Sequence, residues 1–184
     1  MSRTASEAQD VRTALAQRIL ELGAVRFGSF TLTSGAHSDV YVDIKRAWTD
    51  PDCLSMIAQA LAPRVADEPR LAGMELGAVP IVVALALTTR KPYVVLRKAA
   101  KEHGTKQPFE GEVPAGSRFV LIEDVTSTGG SAVRSVEILR AAGAVVDRTL
   151  SVVDREMGAR EALAHVGVRL DSLLALSELR GARA

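Results

Sequence analysis

Cysteine is almost missing from this chain: Cys53 is the single one. One thiol closes no internal disulfide, so a disulfide-stapled scaffold is excluded and nothing points to an oxidising compartment. Histidine is scarce as well. His37, His103 and His165 stand far apart with no cysteine nearby, which argues against a structural zinc site. An excess of one charge is also lacking, because 23 basic and 22 acidic side chains leave a net charge of +1. Nucleic-acid binders carry a basic excess or stripe, so no nucleic-acid partner is expected and any basic site must be local. The longest apolar run, Ala78 to Leu87, spans ten residues and is too short to cross a bilayer. Met1 to Asp10 lacks the apolar stretch of a signal peptide. These absences lead to the expectation of a cytoplasmic protein with no membrane partner.

What is present is an ordinary globular composition over 184 residues, 47% apolar and 24% charged. That is enough chain for one domain with its own core. No internal repeat, low-complexity block or Ser/Gly linker divides it. The first ten residues read as a loose lead-in. Val11, Leu15, Ile19 and Leu22 then recur at helical spacing, with Gly23 as a stop. Phe27 to Ile44, punctuated by Gly28 and Gly35, reads as short strands and turns. Asp50-Pro51 is a helix start, a capping carboxylate before a proline at the first helical position. Beyond it, short strands are expected at Leu71–Leu76, Tyr93–Leu96, Phe119–Val125, Val145–Val153 and near Leu170–Leu176. Helices are expected around Pro80–Leu87, Gly129–Ala142 and Ala159–Ala164. Ala99 to Gly116 is polar and without periodicity, a long loop that could include a hairpin, and such loops are usually functional. Strands alternating with helices, several of them continuous apolar runs, predict an α/β fold with a central parallel sheet flanked by helices.

The chemistry is concentrated in Phe119-Val120-Leu121-Ile122-Glu123-Asp124-Val125-Thr126-Ser127-Thr128-Gly129-Gly130-Ser131. An apolar strand ends in two adjacent carboxylates, and a Thr/Ser/Gly turn leads into a helix. Small residues at a helix N-terminus leave N–H groups free to face a phosphate, and the helix dipole favours the anion. The hydroxyls of Thr126, Ser127, Thr128 and Ser131 add donors, and the glycines allow close approach. The carboxylates of Glu123 and Asp124 suit the vicinal hydroxyls of a ribose. A phosphate cradle beside hydroxyl acceptors therefore predicts a ribose 5-phosphate. Helix capping alone would explain the small residues but not two charges at the end of a buried strand. No G-x-x-x-x-G-K-[ST] or early G-x-G-x-x-G occurs, so neither a P-loop nor a dinucleotide site is supported.

This segment resembles the phosphoribosyl pyrophosphate (PRPP) motif of type I phosphoribosyltransferases. Phe30-Thr31-Leu32-Thr33-Ser34-Gly35, Ser38 and Tyr41-Val42-Asp43 look like the N-terminal hood of the orotate-specific members. Leu96-Arg97-Lys98-Ala99-Ala100-Lys101-Glu102-His103-Gly104-Thr105, with Glu110-Gly111, is similar to their mobile catalytic loop. Gly77-Ala78-Val79-Pro80-Ile81 fits their pyrophosphate-loop region, and Asp154-Arg155 fits too. The resemblance runs from about Val11 to Leu176. It implies one type I phosphoribosyltransferase domain over residues 1–184, with a small hood at about 11–46 and a core at about 50–176.

The resemblance further implies transfer of ribose 5-phosphate from PRPP to orotate, giving orotidine 5′-monophosphate and pyrophosphate in pyrimidine synthesis. It implies Mg²⁺ bound through PRPP and water with no direct protein ligand, and a homodimer whose catalytic loop is shared between subunits. Arg97, Lys101 and His103 would act in trans and Lys98 in cis, with Lys101 the main catalytic group on departing pyrophosphate. Glu123 and Asp124 would hold the ribose hydroxyls, with Asp124 also counted as catalytic. Val125, Thr126, Ser127, Thr128, Gly129, Gly130 and Ser131 would cradle the 5-phosphate, and Ser127 and Arg155 would meet orotate. Two family cations are replaced: Thr33 stands where many bacterial members have lysine, and Leu76-Gly77 where they often have Tyr-Lys. Arg26 is a candidate substitute. His37, Trp48, Cys53 and His165 read as structural. A phosphoribosyltransferase for another base and a non-catalytic PRPP-sensing regulator are the alternatives.

Overall fold

The structure is a computed structural model and describes residues 5–31, 35, 37–98 and 107–182, with side chains from residue 9. In chain order the elements are helix α1 (Ala5–Glu21), strands β1 (Val25–Thr31) and β2 (His37–Val42), a short α2 (Lys45–Trp48), and α3 (Pro51–Leu61), which continues as a 3₁₀ turn (Ala62–Val65). Then come β3 (Arg70–Met74), α4 (Val79–Thr89), β4 (Tyr93–Leu96), β5 (Phe109–Glu110), β6 (Arg118–Thr126) and α5 (Gly130–Ala141). The chain closes with β7 (Val145–Asp154), α6 (Ala159–His165), β8 (Arg169–Ala175) and α7 (Leu176–Gly181).

The main sheet has six strands in the order β5-β4-β3-β6-β7-β8. Five run parallel, but β5 pairs antiparallel with β4 through Val95–Glu110 and Leu96–Phe109. The sheet is therefore mixed rather than all-parallel. The exception sits at the sheet edge, where β5 follows β4 in the chain and runs back alongside it. β1 and β2 form a separate antiparallel pair, within the segment expected as the hood.

Side-chain alternation explains why β6 reads as an unbroken apolar run. Val120 and Ile122 enter one buried cluster with Leu71, Ile81 and Leu85, whereas Phe119 and Leu121 enter another with Val136, Leu139 and Leu163. Both faces are covered by helices, so neither set of positions can be polar. The first cluster also contains Leu15 and Ile19 of α1 and Val25 and Val40 of the hood strands. Hood and core are thus joined by continuous apolar packing. Asp50 reinforces the join: its carboxylate accepts from the Cys53 N–H at 2.9 Å as the N-cap of α3 and from Arg18 of α1 at 2.9 Å.

Three departures from the expected elements have simple causes. Helix α1 starts at Ala5 instead of after a loose lead-in, because Ala5, Glu7, Ala8 and Gln9 are good helix formers although they bring no large apolar side chain to mark a period. Helix α7 has only six residues, too few to show a period. Its start is made by Glu178, whose carboxylate accepts from the Ala175 N–H at 2.7 Å. Helix α2 has four residues and hides for the same reason. No helix among the described residues is long and apolar enough to cross a membrane.

Leu121 is fully buried at the centre of β6. Truncation to alanine should destabilise the fold by about 2–5 kcal/mol through lost burial and a residual cavity. Urea denaturation read by circular dichroism measures this, and a loss below about 1 kcal/mol would contradict the packing described.

Candidate active site

β6 delivers Glu123 and Asp124 to its C-terminal end, beside the turn that follows β3. Glu123 is 5% exposed, and its Oε1 is buried with no hydrogen-bond partner among the described residues. Burial, and secondarily the charge of Asp124, pushes its pKa up to about 8, against the opposing pull of Lys98. Asp124 is partly buried and its pKa is raised by desolvation. The Val125 N–H, donating to its Oδ1 at 2.9 Å, and the charges of Lys45 and Lys98 pull it back. Two neighbouring carboxyls with different surroundings can take different protonation states at neutral pH.

The turn after β3 is shaped around Asp124. A Cβ placed on Gly77 would lie 2.0 Å from Asp124 Oδ2 and 2.5 Å from its Cγ. Only glycine lets the two segments approach this closely. The same turn contains a cis peptide bond between Glu75 and Leu76.

A cavity of about 230 Å³ lies at the α5 N-terminus, lined by Glu123 and the run from Val125 to Ala132. Gly129 starts the helix at φ 86°, a conformation open to glycine. The Thr/Ser/Gly turn thus lines a cavity at the start of α5, but one of the expected donors turns away from it. Thr126 is 2% exposed, and its hydroxyl donates inward to Asp154 Oδ1 at 3.2 Å, with Ser151 Oγ at 3.3 Å. That hydroxyl serves the sheet rather than the cavity. Ser127 faces Arg155, whose Nη1 donates to its Oγ at 3.4 Å. The backbone N–H of Arg155 donates to the Thr126 carbonyl at 2.8 Å, and its side-chain Nε is buried with no hydrogen-bond partner among the described residues. Sequence positions nearly thirty residues apart are thus brought side by side. Asp154, 1% exposed, holds this corner by accepting from Thr126 and from the Glu156 N–H at 3.0 Å, and by an ion pair with Arg160, whose Nε lies 3.2 Å from its Oδ2.

The other expected cations divide. The Arg97 Nε donates to Glu110 of β5 at 2.9 Å and its Nη2 lies 2.7 Å from the same carboxylate oxygen, so the guanidinium is engaged outside the carboxylate cavity. Lys98 stands close enough to act electrostatically on Glu123 and Asp124. Lys101, His103 and Thr33 lie outside the described residues. Arg26, the candidate substitute cation, lies over the rings of Tyr41 and Phe30, at 4.9 and 5.6 Å from their centroids. It borders a larger hood cavity of about 680 Å³ between α1 and β1, which lacks the paired carboxylates. Sequence reasoning missed Lys45, whose charge acts on Asp124 from α2. A lone lysine after a strand carries no signal of this kind.

A model of the phosphoribosyl transferase domain family matches residues 53–171. The orotate phosphoribosyltransferase of Natronomonas pharaonis is 52% identical over 85% of this chain and 90% of that protein. The crystal structure of orotate phosphoribosyltransferase from Aeropyrum pernix superposes with a TM-score of 0.81 at 37% identity, covering 91% of this chain and 96% of that one. That of the Mycobacterium tuberculosis enzyme in complex with PRPP does so with a TM-score of 0.78 at 32% identity, covering 92% of this chain and 99% of that one.

Burial of Glu123 has a consequence for stability. Its carboxyl keeps its proton to about pH 8 when folded but loses it near 4.5 when unfolded. The folded chain therefore binds more protons across that window, and stability falls as pH rises through it, by up to about 1.4 kcal/mol per unit. Glu123→Gln removes this proton and should flatten the slope. Urea denaturation of both proteins at about pH 5, 6.5 and 8 tests it, and parallel profiles would show that Glu123 ionises freely in the fold.

Proposed function

The chain belongs to the phosphoribosyl transferase domain family, in its orotate phosphoribosyltransferase branch, and we propose that the cavity at the end of β6 binds PRPP while Ser127 and Arg155 hold orotate. The enzyme is a pentosyltransferase. It moves ribose 5-phosphate from PRPP to orotate, giving orotidine 5′-monophosphate and pyrophosphate, a step of pyrimidine synthesis. The observation that carries the assignment of sites is the convergence of the carboxylate pair, the α5 cradle and the Ser127–Arg155 pair at one end of the sheet.

In this reading the free N–H groups of the turn and the α5 N-terminus take the 5-phosphate, where the helix dipole favours an anion. Glu123 and Asp124 take the ribose hydroxyls. Glu123, neutral at pH 7, still has oxygen acceptors for them. Arg155, with its guanidinium Nε desolvated, grips the orotate carboxylate, and Ser127 adds a hydroxyl. These contacts fix the orotate nitrogen against C1 of the ribose. The bond from C1 to pyrophosphate breaks and the leaving oxygen takes the electron pair, while a bond from C1 to the ring nitrogen replaces it and the proton of that nitrogen passes to water. Negative charge grows on the pyrophosphate, where Lys98, Lys101 and His103 neutralise it.

Magnesium belongs to the same proposal. Asp124 presents a hard carboxylate oxygen, Oδ2, beside the Gly77 turn, which fits a hard cation that keeps its waters. Asp124 would hold the ion through water, and when bound the ion supplies charge neutralisation on the pyrophosphate.

The working unit in this proposal is a cytoplasmic homodimer with the loop shared. Lys98 acts on its own Glu123 and Asp124, whereas Arg97 is engaged by Glu110 away from them. That division favours Lys98 in cis and Arg97 in trans. Val83, Leu87 and Tyr93 line an open groove that a second copy would cover.

Purified protein with orotate, PRPP and Mg²⁺ should consume orotate, followed by ultraviolet absorbance. Lys101→Ala should lower turnover by ~100-fold or more if the lysine meets the departing pyrophosphate. Arg155→Ala should raise the orotate KM by roughly 10- to 100-fold, the worth of a charge-assisted hydrogen bond. Turnover of another base would move the substrate assignment, and PRPP binding without turnover of any base would support a sensor instead. Gly77→Ala should displace the Asp124 carboxylate and weaken PRPP binding by ~10-fold or more, read by calorimetry. Unchanged affinity would show that Asp124 does not hold the ribose.

A further inference from the structure

The Lys98 peptide is gripped from both sides by groups that the reading above leaves without a role. Its N–H donates to Glu75 Oε1 at 2.9 Å, and its carbonyl accepts from Arg134 Nη2 at 2.9 Å. Charge-assisted bonds of this kind are stronger than those between neutral groups. Each anchor sits on an element that already carries part of the site. Glu75 belongs to the turn that presses Gly77 against Asp124, and its own N–H donates to the Leu96 carbonyl at 2.8 Å. Arg134 lies one turn into α5, the helix whose N-terminus lines the cradle.

The flanking residue is fixed separately. The Arg97 N–H donates to the Pro108 carbonyl at 2.8 Å, and its side chain is held by Glu110. Nothing in sheet pairing requires the Lys98 clamp, because β4 ends at Leu96. A surface lysine on an unbraced peptide would sample many positions. Here the peptide is fixed relative to both the carboxylate turn and the phosphate helix.

We infer that Glu75 and Arg134 are positioning residues, which clamp the Lys98 peptide so that its ammonium is aimed at the pyrophosphate end of the PRPP site. The inference rests on the PRPP reading above. Lys98 does act electrostatically on both Glu123 and Asp124, as such an aim requires. Glu75 and Arg134 themselves touch no substrate; their effect passes through Lys98.

A double-mutant cycle tests this. Arg134→Met keeps an unbranched apolar stem but removes the guanidinium and its bond, and should lower kcat by roughly 10- to 100-fold, the scale for a misplaced contact. The orotate KM should stay within about twofold, because Ser127 and Arg155 lie on other segments. Glu75→Ala should behave alike, whereas Glu75→Gln, which keeps an acceptor oxygen, should restore most of the activity. In a Lys98→Ala background neither Arg134→Met nor Glu75→Ala should cost more than about twofold further. Additive losses in that background, or wild-type kcat in Arg134→Met, would overturn the clamp. Urea denaturation of each variant separates loss of fold from loss of aim, and Glu75→Gln supplies an arm that keeps the shape.

The wild type separates the two readings. If it turns over orotate and the cycle is additive, the clamp alone fails. If it turns over another base, the same cycle is run with that base. If it only binds PRPP, the cycle is read in PRPP affinity, and non-additive losses there again support the clamp.

Discussion

The site depends on keeping two adjacent carboxyls, Glu123 and Asp124, at the inner end of a strand covered by helices on both faces. Removing charged oxygens from water is costly, and the structure meets the cost in different ways for the two. Glu123 remains protonated to about pH 8, which avoids burying its charge. Asp124 receives its own following N–H and lies within reach of Lys45 and Lys98. The neighbouring turn must also come very close, and Gly77 is there because any side chain would occupy the space of the Asp124 carboxylate.

Other segments arrange themselves around that pair. The turn after β3 carries Gly77 and Glu75, and β6 continues into the cradle of α5. The Lys98 peptide bridges the two through Glu75 and Arg134. On the other side, buried Asp154 gathers Thr126, the Glu156 N–H and Arg160, fixing the corner from which Arg155 reaches Ser127. Asp124 and Lys98 are thus backed by groups that are not themselves offered to a substrate. Such backing keeps a site close to its productive geometry before the ligand arrives.

Much of this was legible along the chain. The run from Phe119 to Ser131 announced strand, carboxylates, turn and helix together, because both faces of β6 are buried and its cap is made of small residues. Asp50-Pro51 announced α3 for an equally local reason. The short elements α2, α7 and β5 were not legible, since a few residues show no period and β5 exists only by pairing with β4. The role of the Thr126 hydroxyl was misread because nothing in Thr-Ser-Thr-Gly-Gly says which hydroxyl turns inward. That depends on Asp154, 28 residues later.

The sequence by itself determined what is local: which segments are strand or helix, where a phosphate cradle can form, and which family the chain resembles. Periodicity, capping and turn chemistry act over a few residues and leave their mark in order along the chain. Only the tertiary structure decided the mixed sheet, the inward hydroxyl of Thr126, the engagement of Arg97 by Glu110, and the bracing of Lys98 by Glu75 and Arg134. These are set by distances between residues 13 to 36 positions apart. No local pattern encodes such a distance, because it exists only once the sheet order has brought the segments together.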